Sequence, residues 1–226
     1  MLDSYCERTA PGLWDEPLNT VTNLAFLIAA GVAMAVHRRH AGTIPDRGVD
    51  LWLLRLWLIA IGIGSGLWHL TARRWAWWLD VVPIQLFILS FFLSFMQRVL
   101  GWGLARMGLA LGGFIVLSVV VEATVGNALN GSASYFPAYA LLLTMTGWLY
   151  RQGSPVAWLF GLASGVFLVS VSFRSMDMAV CDAWSPGTHF LWHVLNAVVL
   201  GSLLVAMIRV AAGQPSAPAP DHGSLN

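Results

Sequence analysis

The chain has 226 residues and a net charge of +1, with 58% hydrophobic and only 10% charged residues. A soluble domain carries about 25% charge, so too little polar surface remains here to cover a water-soluble globule. The near-neutral balance also argues against nucleic acid as a partner.

The first 16 residues, MLDSYCERTAPGLWDE, are polar and lack the basic segment and apolar core of a secretory signal. The N-terminal arm, 1–17, is therefore expected to stay in the mature protein. A membrane span needs about 20 mostly apolar residues. Such runs fall at 18–36, 51–70, 81–99, 104–121, 135–150, 156–173 and 189–210, the fifth of them short. They predict an all-α polytopic membrane protein, a seven-transmembrane-helix bundle over 18–212 with no separate soluble domain. The 12 Trp suit membrane interfaces, where the ring is half buried and the indole N–H finds a partner. The tail, 213–226 (GQPSAPAPDHGSLN), is rich in Pro, Ser and Ala and reads as disordered.

Basic residues in the loops set the orientation. There is no Lys, and all 12 basic residues are Arg. With the N-terminus outside, the inner side holds Arg38, Arg39, Arg47, Arg98, Arg106, Arg151 and Arg209, and the outer side Arg8, Arg73, Arg74 and Arg174. Seven against four favours N-out/C-in. Seven spans put Cys6 and Cys181 on one side of the membrane. On an oxidising outer face they can form a bridge; otherwise they are two unpaired thiols.

Three apolar runs carry polar residues of a distinctive kind. His69 lies one turn after Ser65 near the end of the second run, and Asp80 stands just before the third. His189 and His193 open the seventh at helical i, i+4 spacing. By the span count all five fall at similar depth. Singly, each has a plain structural reading: histidines bonded to backbone carbonyls, a serine bonded back to its own helix, an aspartate capping the third helix. Together they favour a metal site, because polar groups within a membrane are costly. Three histidines from two helices suit zinc, with a fourth position left for water. Zinc so held lowers the pKa of water to about 7 and polarises a carbonyl. Asp80 is placed to move the proton and Ser65 to hydrogen-bond an oxyanion. An amide or ester of a membrane lipid would reach such a site from the bilayer. His37 and His40 flank Arg38 and Arg39 in an inner loop and His222 lies in the tail, so none of these joins the site.

The order Ser65-x3-His69, Asp80, His189-x3-His193 on seven spans resembles the superfamily of membrane hydrolases and receptors that includes alkaline ceramidases and adiponectin receptors. Tyr5-Cys6-Glu7, the run from Glu16 through Asn19-Thr20-Val21-Thr22-Asn23, and Asp177-x3-Cys181 are similar to the alkaline ceramidase branch. The resemblance implies zinc-dependent hydrolysis of the ceramide amide to a sphingoid base and a fatty acid. It implies His69, His189 and His193 as zinc ligands, Asp80 and Ser65 in supporting catalytic roles, and a Cys6–Cys181 disulfide. It also implies a calcium site on the arm, with Glu7, Glu16, the Tyr5 backbone and, one position displaced, Asp3. The chain departs from the family pattern there, with Ser4 in place of an acid and Thr9 in place of Asn.

The compact Lys-free chain and Pro/Ala tail suggest a bacterial relative. The expected location is then an inner membrane, with the active site near its periplasmic side. Many bacteria have no ceramide of their own, so another N-acyl lipid is an alternative substrate. Two other functions fit the same motifs: a related lipid ester hydrolase, and a non-catalytic heptahelical receptor-like protein that keeps zinc for structure. A structural zinc is usually closed by a fourth protein ligand. No fourth His stands at this depth, which favours an open, catalytic site.

Overall fold

Long apolar runs become helices in lipid because a helix satisfies its own backbone N–H and C=O groups. A computed structural model describes residues 5–10, 12–44 and 48–213, and their regular structure is helical throughout. The chain opens with α1 (Pro17–Thr22) and, after Asn23, α2 (Leu24–His40). A hairpin of α3 (Val49–Thr71) and α4 (Arg74–Arg98) follows, then α5 (Leu104–Val125) and a short turn, α6 (Ala128–Gly131). The last three helices are α7 (Phe136–Arg151), α8 (Ala157–Met176) and α9 (His189–Ala211). Two 3-10 turns, Ser132–Tyr135 and Asp177–Val180, precede α7 and follow α8.

Six stretches among the described residues are long and apolar enough to cross a membrane: Pro17–His40, Val49–Thr71, Arg74–Arg98, Leu104–Val125, Ala157–Val180 and His189–Ala211. They coincide with six of the seven expected runs. The expected fifth run is α7, which has 16 residues. At 1.5 Å per residue it reaches about 24 Å, less than the roughly 30 Å hydrocarbon thickness of a bilayer.

One boundary differs in a way that matters. The third long helix starts at Arg74 rather than at 81, so Asp80 lies inside it and does not cap it. The segment Trp75-Ala76-Trp77-Trp78 is helical, with its Trp side chains outward and Ala76 buried. Indoles at an interface lower the apparent hydropathy without breaking a helix.

Short-range chemistry then sets α3 against α4. The α3 C-cap is Ala72 in the left-handed region (φ 47°), its N–H bonded to the Trp68 carbonyl at 2.7 Å, and α4 restarts after one extended residue, Arg73. Gly64 faces the Leu79 carbonyl so closely that a Cβ there would collide with it. Pro83, four residues after Leu79, has no N–H to bond that carbonyl. This contact sets Ser65 beside Asp80. At the other end of the hairpin Arg98 forms a bidentate pair with Asp50 (Nε 2.6 Å, Nη2 2.5 Å), and the Ser94 hydroxyl donates to the same carboxylate.

The start of α9 is fixed from outside the helix. Asp177 Oδ1 accepts the N–H groups of Thr188 (2.6 Å) and His189 (2.9 Å), and Oδ2 accepts the Cys6 N–H (3.1 Å). Gly187 has a φ of +65°, and a Cβ there would overlap the Asp177 carboxylate and Cys6. Cys6 and Cys181 are joined by a disulfide across 175 residues, which ties the N-terminal arm to the loop before α9. Of the two readings of the cysteines, the bridge is the one present.

Candidate metal centre

His69 sits in the last turn of α3, and His189 and His193 in the first two turns of α9. All three are at most 2% exposed, and one ligand nitrogen from each lies within 4.8 Å of the others. His69 Nε2, His193 Nε2 and His189 Nδ1 have no hydrogen-bond partner. Three buried orphan nitrogens on rings packed 4.7–5.1 Å apart cost free energy unless something accepts their lone pairs. A metal ion does, and three imidazoles are a donor set that suits zinc.

The second ring nitrogens determine the tautomers. His69 Nδ1 is 2.5 Å from Glu16 Oε2. His193 Nδ1 is 3.0 Å from the Thr22 hydroxyl, which donates its own hydrogen to the Leu18 carbonyl at 2.7 Å. Both partners therefore accept from Nδ1–H, and both Nε2 atoms are left with a free lone pair. This is the outer-shell arrangement that orients metal-binding histidines. Glu16 is 2% exposed. Burial alone would push its carboxyl up, but hydrogen bonds from His69, Asn19 and Arg8 hold it below the usual carboxylate range. The Tyr5 ring packs on His189 and His69, with centroids 4.0 and 4.8 Å away.

Ser65 and Asp80 line a cavity beside His189 and His193. Beyond them its walls are apolar, with Phe87, Phe91, Leu142, Met145 and Leu203 among them. His193 and Leu203 are both on α9, so the cavity follows that helix for about 15 Å at 1.5 Å per residue. Its polar end also holds Arg174 and Tyr135. The Arg174 guanidinium lies 5.5 Å from the Tyr135 ring centroid and donates to the Asn130 carbonyl (2.7 Å) and the Ser132 hydroxyl (3.0 Å).

The structure thus brings together all five residues expected at the zinc site. The expected calcium residues are used differently. Glu7 accepts the N–H groups of Leu18 (2.7 Å) and Asn19 (2.9 Å) at the start of α1. Glu16 bonds Arg8, Asn19 and His69. Tyr5 turns its ring to the histidines, and Asp3 lies outside the described residues. The arginines Arg8 and Arg174 were not legible as site residues, since each reads in the sequence as a loop cation. Glu16 and Thr22 belong to a quoted motif, but their contact with the histidines needed the fold.

No curated protein matches the chain. A family model described as Ceramidase matches residues 5–219, nearly the whole length. That span contains the arm from Tyr5 onward, His69, His189 and His193, Ser65, Asp80 and both cysteines, and the protein belongs to the Ceramidase family.

Proposed function

We propose that this protein is a zinc-dependent intramembrane lipid amidase that hydrolyses the amide of ceramide, or of another N-acyl lipid, to an amine and a fatty acid. The observation that carries the reading is the trio of buried, unpartnered histidine nitrogens beside Ser65 and Asp80 at the polar end of an apolar cavity. Zinc, when bound, would lower the pKa of a water and polarise the substrate carbonyl. His69, His189 and His193 are the residues that would hold it.

The chain's own groups supply the rest. Glu16 and Thr22 keep His69 and His193 in the tautomer that leaves Nε2 free. Asp80 accepts a proton and returns it to the leaving amine nitrogen. Ser65 donates a hydrogen bond to the carbonyl oxygen as negative charge builds on it. Phe87, Phe91 and Leu203 form the walls that receive an acyl chain and exclude water.

Parity supports the seven-span arrangement. Five long apolar stretches lie between Cys6 and Cys181, which would leave the two bonded cysteines on opposite sides. With α7 as an additional, short crossing the number is even, which is the parity a seven-span topology requires. The disulfide and the Arg distribution both support an outward N-terminus, and the site then lies near the periplasmic face of a bacterial inner membrane.

The test is mass spectrometry of products after purified protein meets ceramide in detergent, with His69→Ala as control. Release of sphingoid base and fatty acid by the wild type alone is the expected result. Release of an alcohol from an ester lipid, with ceramide untouched, would replace the amidase reading with an esterase. No release from either class, with zinc bound, would overturn the catalytic reading.

A further inference from the structure

Arg8 is 7% exposed, and its guanidinium gathers three oxygens, two from the N-terminal arm and one from the end of α3. Nε donates to Glu16 Oε1 at 2.6 Å, Nη2 to the His69 carbonyl at 2.9 Å and Nη1 to the Gly12 carbonyl at 3.2 Å. A carboxylate and two carbonyls converging on one positive centre is the kind of environment a hard divalent cation assembles. Here a fixed side-chain cation holds it. Glu16 Oε2 in turn accepts from His69 Nδ1 at 2.5 Å. Arg8 therefore holds His69 twice, by its carbonyl directly and by its ring through Glu16. Glu7 gives both its oxygens to backbone N–H groups of α1. The two described acids expected to bind calcium do not fit that ion: Glu16 is paired with an arginine and Glu7 caps a helix.

We propose that Arg8 takes the place of a calcium ion on the N-terminal arm, so that a cation built into the chain positions His69 through Glu16 and the arm needs no divalent ion. The proposal rests on the reading that the three histidines hold a metal. Arg8 is a positioning residue that does not line the substrate cavity. Arginine suits the task because it is permanently charged and spreads its donors in a planar fork, which lets one group reach three acceptors. Lysine keeps the charge but concentrates it at one point.

The experiment uses the full chain in detergent, stripped of metal and titrated with cobalt(II), whose visible absorption reports binding at the histidines. Wild-type affinity and melting temperature are measured in calcium-free buffer and in millimolar calcium, and are expected to agree. Arg8→Gln is expected to weaken cobalt binding about 10–100-fold, the usual cost of losing an outer-shell partner. Arg8→Lys is expected to recover part of that loss, which a purely space-filling role would not predict. Tighter cobalt binding or a higher melting temperature for the wild type in calcium overturns the proposal, as does unchanged affinity in Arg8→Gln. If Arg8→Gln does not fold, Arg8→Lys and the wild-type comparison still decide. A wild-type protein that binds no cobalt in either buffer overturns the metal reading itself, and its melting temperature in the two buffers still tests the calcium claim.

Discussion

Helices α5 and α9 have nearly the same mean hydropathy over their most apolar windows, 2.1 and 2.2, yet 6% of the first and 56% of the second is buried inside the protein. In water such helices would compete equally for the core. In lipid they do not, because the surroundings are as apolar as any interior, and polar and small residues decide which helix goes to the centre. The hydroxyls of α5, Ser118 and Thr124, bond back to the carbonyls of Phe114 and Val120 and ask nothing of other helices. The polar groups of α9 look outward. His193 meets Thr22, Asn196 accepts from Ser170, and His189 faces the other two histidines. Glycines tell the same story: a Cβ at Gly201 on α9 would come within 3.1 Å of Ala29, whereas Gly108, Gly112 and Gly113 on α5 have nothing within 4 Å.

The comparison breaks most completely at the histidines. His193→Ala should abolish both zinc retention and hydrolysis, measured by metal analysis and product release, because it removes one of the three proposed ligands. Asp80→Asn should keep the metal and lower turnover by about 10²–10⁴-fold, the range for a general acid–base. Loss of zinc in Asp80→Asn would instead make Asp80 a ligand. A smaller effect is expected at Gly64, where α3 touches the Leu79 carbonyl of α4. Gly64→Ala should destabilise by about 1–3 kcal/mol, as overpacking does, and reduce activity by separating Ser65 from Asp80. Gly112→Ala, the same change on the open face of α5, should alter stability by less than about 1 kcal/mol and leave activity intact. Equal melting-temperature losses in the two glycine variants would remove the distinction between the helices.

Much of the site could be read without the fold. The i, i+4 spacing of His189 and His193 and the placement of His69 one turn after Ser65 rest on helical periodicity, which survives in the structure. Their common depth rests on a count of seven spans, of which six are long and apolar enough to cross a membrane. Asp80 was placed correctly in space but wrongly on its helix, because interfacial Trp residues blurred the start of α4. Asp177 was visible as part of a motif with Cys181, but its role as the cap of α9 depends on a turn at Gly187 that brings its carboxylate back to Thr188 and His189.

The sequence by itself determined the membrane class, most of the helical segments and the residues that form the candidate metal centre, since these depend on composition and on contacts within one or two turns. Tertiary structure alone decided that Arg8 and Glu16 serve His69, that Thr22 serves His193, and that α9 rather than α5 lies at the centre. These are contacts between segments up to 171 residues apart. A buried polar atom can take whichever partner the packing brings within about 3 Å, and no local pattern records that choice.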